Sequence, residues 1–401
     1  MILTENLTFD FFKTCSEDEE GNSKAWITFK VRGQKGERAT LKPMYTIDET
    51  FAIRADSDKF DIKNVKAKSL TVKMKHQDLL FKVVAPSETF NSIHTKNINS
   101  MDVSSGGLGV SAGDDGFLVW ETNTGLIRRK LEGHVGDVYS AQLFPSGIVV
   151  LSCGADMRIK IWSAEDGSCP VSLTGHSAAI TQTAILDRGR NIVSCSKDGK
   201  VRIWSCSQAK TIEPIIDAND VVNCIDVQET NLDIVNRDDP EDPEVECGTV
   251  GKIAVIGGES GSVQLLDLRN RSVIKSTNVN SAVNAVKFLN DENTIAVGTE
   301  DGKLTFLRVP DLKILAEKHD SDSSLECLLP LKNGILCGKY DGACVWYSLE
   351  NDGASFASKD PILILSGADV DPIHDMAQDD DFVYTAARDG CIRKYKKSNM
   401  F

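Results

Sequence analysis

Nowhere does this chain of 401 residues run apolar for the ~18 residues that a membrane span needs, so no span is expected. The opening MILTENLTFDFFKTC lacks a basic segment followed by an apolar one, so no secretory leader is expected either. There are eleven cysteines but no C-x-x-C pair and no Cys/His cluster with zinc spacing, which excludes a zinc-ribbon reading and fits a reducing compartment. Cys153, Cys195 and Cys337 fall on equivalent inner-strand positions, where a thiol serves as a small hydrophobe. Histidines number only six, and the chain has no G-x-S-x-G elbow, no P-loop and no H-E-x-x-H. We therefore expect no catalysis, no metal and no cofactor. Basic residues are also in deficit: Lys and Arg total 45 against 59 Asp and Glu, for a net charge of −14. Residues 1–90 are nearly balanced at +1, so the remainder carries 30 basic residues against 45 acids. That balance argues against nucleic acid or anionic lipid as the main ligand and favours a basic protein surface.

What the chain does have is repetition. GHVGDVYSAQLFPSGIVVLSCGADMRIKIW is followed by GHSAAITQTAILDRGRNIVSCSKDGKVRIW, with Trp162 and Trp204 42 residues apart. His134 to Trp162 and His176 to Trp204 each span 28 residues; Ser152 precedes Asp156 by four, as Ser194 precedes Asp198. A period of about 40–45 with a GH…W signature marks a WD-repeat propeller blade. Period-2 runs such as MRIKIW and KVRIW supply strands, and the Asp-containing turn between the last two strands supplies a tight hairpin. In that geometry Asp fixes His, His reaches Ser, and Ser reaches the indole N–H. Each bond contributes about 1 kcal/mol net, but an orphaned member costs about 1–3, so the four residues favour being present together.

Taken in order, residues 1–80 show no repeat, only short alternating runs (Ile27, Phe29, Val31; Leu70, Val72, Met74), and read as a small, mostly β domain. EDEEGN (17–22) reads as a solvated loop. Residues 81–401 then form the ring. Its first repeat has His94, Ser111, Asp115 and Trp120, with Asp115 to Trp120 one residue shorter than in the next two copies, predicting a tightened turn. GGLGVSA (106–112) resembles a dinucleotide fingerprint but sits between two strands rather than before a helix, so it is not read as a nucleotide site. Later blade ends fall at Leu266, Leu307, Tyr347 and Tyr395, after Trp120, Trp162 and Trp204. In the sixth repeat His319, Cys337, Asp341 and Tyr347 keep the spacing. The expected fold is all-β: a seven-bladed WD-repeat β-propeller preceded by a small mostly-β N-terminal domain. The last repeat stops at its third strand, and an open edge is hazardous. A segment within 79–93 should pair there, with the 1–80 domain beside blades seven and one.

An insertion in blade four, 228–249, carries eight acids against Arg237 alone and reads as a mobile loop on the face opposite the Asp turns. LDRGRN (186–191) reads as a structural turn with Arg anchoring. The face formed by the Asp turns and the GH-bearing loops is the expected partner-binding rim. Its acids are Asp114, Glu132, Asp137, Asp220, Glu259, Glu300, Asp322, Asp369 and Asp371.

Several strings are not generic to WD blades: FNSIHTKNI (90–98), SSGGLGVS (104–111), LEGHV (131–135), FPSG (144–147), IKIWSAEDGSC (159–169), LDRGRN (186–191) and SGADVDP (366–372). Together they resemble the proteasomal ATPase-associated factor family, WD-repeat assembly chaperones of the proteasome regulatory particle. The likeness covers roughly 90–204 well, the C-terminal repeats more loosely, and 1–80 and the insertion poorly. It implies a cytoplasmic and nuclear protein, monomeric when free, that binds the C-terminal helical domain of a proteasomal ATPase subunit and delays docking of the ATPase ring on the proteolytic core. Two other readings remain: a generic WD-repeat scaffold, and a substrate receptor of a cullin-4 ubiquitin ligase. The second rests on LDLR (266–269), a degraded W-D-x-R.

Overall fold

The computed structural model describes residues 2–3, 25–29, 37–45, 51–55, 60–66, 68–74 and 79–401, except 291–292, 351–355, 357–361 and 369. Seven antiparallel four-stranded units form the body of the molecule. Their innermost strands are Ile98–Val103, Val138–Leu143, Ile180–Leu186, Val222–Glu229, Val283–Phe288, Leu325–Pro330 and Ile373–Gln378. Each touches the next, and the seventh touches the first, so the ring is closed. In blades two to seven the second strand is the most buried; Asn191–Ser196, Thr294–Thr299 and Gly334–Lys339 are buried throughout. Cys153, Cys195 and Cys337 are buried on these second strands rather than on the innermost ones.

Sheets stacked face to face bury the alternate residues of each strand. The core accordingly divides into clusters that bridge neighbouring blades. Val110 and Val119 of blade one pack with Val138, Ala141 and Val150 of blade two. Trp120 of blade one packs with Tyr384, Ala386 and Ile392 of blade seven. The blade-ending residues Trp120, Trp162, Trp204, Leu266, Leu307, Tyr347 and Tyr395 are all buried on third strands. Within GGLGVSA, Gly109 has a packing role: a Cβ there would lie 2.5 Å from the Trp120 indole.

Ring closure uses the upstream segment. Glu88–Phe90 pairs antiparallel with Ile392–Lys396 as the fourth strand of blade seven, with Phe90 opposite Ile392. Phe90 then packs on Trp120, ring centroids 5.7 Å apart, tying the last blade to the first. The strands before it go elsewhere than expected. Leu79–Val84 pairs in parallel with Ile362–Leu365, the outer strand of blade six. Ser69–Met74 and Phe60–Lys66 continue that sheet to seven strands. The N-terminal strands thus extend blade six instead of resting beside blades seven and one, and residue 80 falls within a strand. The physical reason is that the outer strand ILIL would otherwise leave a row of backbone N–H and C=O groups unpaired at an edge, and LLFKVV pairs with it. Further upstream, Ile2–Leu3, Ala25–Phe29, Glu37–Tyr45 and Phe51–Ala55 form a separate four-stranded antiparallel sheet. EDEEGN lies outside the described residues.

The blade-four insertion lies between Val222–Glu229 and Lys252–Gly258, so Gln228 and Glu229 belong to the strand. It is held, contrary to the expectation of a mobile loop. Leu232, Ile234 and Val235 pack against the apolar cluster shared by blades four and five. Buried Glu246 pairs with Arg271 at 2.5 Å and accepts the Thr249 hydroxyl. Two strings singled out in the sequence do most of the holding. From LDRGRN, buried Asn191 donates to Val245 O at 2.8 Å and accepts from Cys247 N at 2.8 Å, while Arg190 donates to Glu244 O at 3.0 Å. From LDLR, Asp267 accepts from Asn236 N at 2.9 Å, and Arg269 donates to the carbonyls of Asp238 and Asp239 at 3.0 and 3.1 Å. These arginines take backbone carbonyls, so the side chains of Asp238, Asp239, Glu241, Asp242 and Glu244 remain exposed.

Candidate partner-binding face

Three blades carry the complete polar relay. His94 Nδ1 lies 2.5 Å from Asp115 and its Nε2 2.7 Å from Ser111 Oγ, which accepts from Trp120 Nε1 at 3.1 Å. For His134 the corresponding distances, to Asp156, to Ser152 and from Trp162, are 2.9, 2.7 and 2.8 Å. For His176, with Asp198, Ser194 and Trp204, they are 2.9, 2.8 and 2.8 Å. The relay fixes protonation states. Burial lowers the pKa of His134 and His176 against the pull of Asp156 and Asp198. Burial works against the Asp115 carboxylate too, yet hydrogen bonds from His94 and Thr95 outweigh it and hold it at about 2. A neutral imidazole that donates from Nδ1 and accepts at Nε2 satisfies every member. These histidines are spoken for by architecture, with no substrate-facing edge.

The relay anchors the loops that build one face. Asp156 and Asp198 each also accept the backbone N–H after the histidine, Val135 and Ser177. This binds the turn between strands two and three to the loop entering the blade. The blade-one turn is the tightened one: Gly113 pairs with Gly116 around a loop of only Asp114 and Asp115. Blade four replaces the relay. There Asp220 Oδ2 accepts the hydroxyls of Ser260 and Ser262, both at 2.6 Å. Blade six departs from the expected pattern. His319 turns to Asp301 O at 3.1 Å, and the Tyr347 hydroxyl donates to Asp320 at 3.0 Å. With Cys337 in place of Ser, no hydroxyl bridges the ring system, so His319 makes no relay there.

Of the rim acids, Asp114, Glu132, Asp137, Glu259, Glu300 and Asp322 are exposed on this face. Asp220 is half-buried on its two serines, and Asp371 is half-buried against Arg388 at 3.1 Å. Asp369 lies outside the described residues. Five apolar side chains share the face and carry no pattern signal a periodicity search would register: Val135, Tyr139, Met157, Tyr340 and Val370.

A channel of about 400 Å³ runs between the inner strands. Polar side chains facing it stitch blade to blade, a role that sequence reasoning missed. Asp375 accepts Met101 N and the Ser100 hydroxyl, each at 2.8 Å, across the closure seam. Asp102 accepts Leu143 N at 2.8 Å, and Asp226 accepts Phe288 N at 2.8 Å and Lys287 Nζ at 3.0 Å. Burial pushes Asp102 up to about 6, and the nearby Asp375 carboxylate adds to the rise. Burial alone would depress Lys287, but Asp226 outweighs it and lifts the ammonium above its usual range. Among the described residues, no group of three or more His, Cys, Asp or Glu is arranged to hold a metal ion, and no helix is long and apolar enough to cross a membrane.

Comparison with known proteins agrees with this architecture. The family "WD domain, G-beta repeat" matches residues 125–163 and 167–205. The chain is 38% identical to proteasomal ATPase-associated factor 1 of Gallus gallus over 405 residues, covering 100% of both chains. It is 39% identical to the Homo sapiens protein of that name over 349 residues, 86% of each chain. A probable proteasomal ATPase-associated factor 1 of Dictyostelium discoideum is 35% identical, covering 94% of this chain and 92% of the relative.

Proposed function

The chain belongs to the proteasomal ATPase-associated factor family, and from that premise we propose that it is an assembly chaperone acting on a proteasomal ATPase subunit. It holds the subunit's C-terminal helical domain against the face built by the turns between strands two and three, and while bound delays docking of the ATPase ring on the proteolytic core. The observation that carries this reading is the rim: Asp114, Glu132, Asp137, Glu259, Glu300 and Asp322 stand exposed on one face. Such a rim steers and selects a basic surface. Action is by binding without turnover, by a protein that is monomeric when free, in the cytoplasm and nucleus. The histidines of three blades are engaged in relays, which supports a role without catalysis. The ligase-receptor reading draws on LDLR, but the Arg269 guanidinium is committed to the insertion carbonyls, which weighs against it.

The test is direct binding of the full chain to purified full-length proteasomal ATPase subunits, assayed one by one across a salt series. Replacing Asp114, Asp137 and Glu300 by Lys should weaken the preferred pair by about 10- to 100-fold and flatten its salt dependence. Unchanged affinity in the triple variant would refute the face assignment. Recovery of a cullin adaptor in stoichiometric amount, with no ATPase subunit, would refute the chaperone reading itself.

A further inference from the structure

Blades three to seven each place a glycine at one position of the turn between strands two and three. Gly199, Gly261, Gly302, Gly342 and Gly390 all adopt left-handed backbone, with φ between 75° and 84°. Blade two puts Met157 there, at φ 62°. A side chain in this region clashes with its own carbonyl, a strain that glycine avoids. The Met is not there for packing, since it is 41% exposed. Its neighbourhood is also unusual. Asp156, just before it, accepts the backbone N–H of Val135, and Val135 is 81% exposed. Asp137 binds the same turn, its carbonyl accepting from Ala155 N at 2.9 Å, and its side chain is exposed. Two exposed apolar side chains, Met157 on the strained turn and Val135 on the entering loop bonded to it, thus stand beside exposed Asp137 of the rim.

Backbone strain held at an exposed residue is a pointer to function; seven other described non-glycine residues also have positive φ, but Met157 is the one at this turn position, which is glycine in five blades. Met is the adaptable apolar residue at binding surfaces. We propose that Met157, with Val135 beside it, is the apolar anchor by which the acidic rim grips its partner. The matching surface is an apolar side chain set among basic residues on the ATPase subunit's helical domain. Met157 packs on that apolar side chain while the Asp137 carboxylate faces the basic groups, the arrangement of a hot spot beside a polar rim. This rests on the reading given under Proposed function.

The experiment compares Met157→Gly with Met157→Leu, in the full chain, against the preferred full-length ATPase subunit. Met157→Gly should weaken binding about tenfold, while its melting temperature stays unchanged or rises by about 1 °C through relief of strain. Met157→Leu keeps the apolar bulk and should bind within about twofold of wild type. If Met157→Gly binds like wild type while the Asp114, Asp137 and Glu300 reversal weakens binding, the anchor is overturned and the face assignment stands. If neither change matters, the face assignment falls, and the anchor with it. A melting temperature lowered by several degrees in Met157→Gly would also overturn the proposal, by showing that the side chain serves the fold.

Discussion

Replacing Asn191 by Ala tests whether LDRGRN exists to hold the blade-four insertion. The amide is buried and joined to three groups of the loop: it donates to Val245 O and accepts from Cys247 N at 2.8 Å and Gly248 N at 3.3 Å. It also donates to Trp204 O at 3.1 Å, within blade three. At about 1 kcal/mol net for each bond, the loop loses about 3 kcal/mol of restraint. With tenfold per 1.4 kcal/mol, exchange of the Cys247 and Gly248 amides should accelerate about 100-fold. The contacts of Arg190, Glu246 and Leu232 remain, so the loop should loosen at its C-terminal end and not leave the surface. Asn191→Asp separates the bonds, since it keeps the acceptor and loses the donor; exchange should rise by less. Hydrogen–deuterium exchange read by mass spectrometry over 240–252 is the assay. Unchanged exchange in the folded Ala variant would refute the argument and leave the string without a structural role.

Further outcomes follow from the relays, the channel and LDLR. Ser194→Ala orphans both His176 and the Trp204 indole and should cost about 2–3 kcal/mol in urea unfolding, whereas His319→Ala, outside any relay, should stay within about 1 kcal/mol. Asp102 has a folded pKa raised to about 6, so its contribution to stability is complete below the unfolded value near 4 and is lost as pH rises through about 6. Asp102→Asn keeps an acceptor for Leu143 N but loses the one for Val103 N, and should flatten stability between about pH 4 and 6, gaining at most about 1 kcal/mol at pH 7. That is below the ~3 kcal/mol implied by the full shift, because the carboxyl opens onto the channel. A steeper pH profile in the variant would reverse the assignment. Arg269→Ala should speed exchange around residues 238–239 and leave ATPase-subunit binding unchanged, since the insertion lies on the opposite face.

The sequence disclosed the ring to different depths around its circumference, for physical reasons. Blades one to three hold the relay in full, because four mutually dependent polar groups must all be present or cost the fold, and the repeat match falls on two of them, at 125–163 and 167–205. Elsewhere the same mechanical task, fixing one turn to the loop entering the blade, is solved with different residues. Blade four uses Asp220 with Ser260 and Ser262, and blade five has Asp301 N donating to Ser281 Oγ of the entering loop at 3.2 Å. Their blade ends become Leu266 and Leu307, buried by apolar packing alone, and period survives where spelling does not. That six of the nine acids assigned to the turn face are exposed was legible, because loop position follows from topology. What could not be read is whatever depends on pairs distant in sequence: Asn191 with Val245, Asp375 with Met101, Leu79–Val84 beside Ile362–Leu365.

That division also explains why the two faces of the ring differ in kind. On the face bearing the insertion, arginines and Asn191 spend their donors on backbone carbonyls of the chain itself. On the other face the relays consume the turn aspartates internally and leave the neighbouring acids and apolar tips pointing outward. A relay that holds its loop from within needs no surface contact to do so. The loop's outward side chains are then free to vary with the partner while the turn stays fixed. A strained Met can persist at such a turn because Asp156, tied to His134 and to Val135 N, determines the backbone conformation that glycine adopts in other blades. Cutting that tie with Asp156→Ala should therefore let Met157 relax out of left-handed backbone. Under the proposed function, affinity for the ATPase subunit would then fall without any rim acid being touched. Loss of affinity in Asp156→Ala but not in Asp198→Ala, its counterpart in blade three, is the expected contrast; equal loss in both would mean that the turns act only through overall stability.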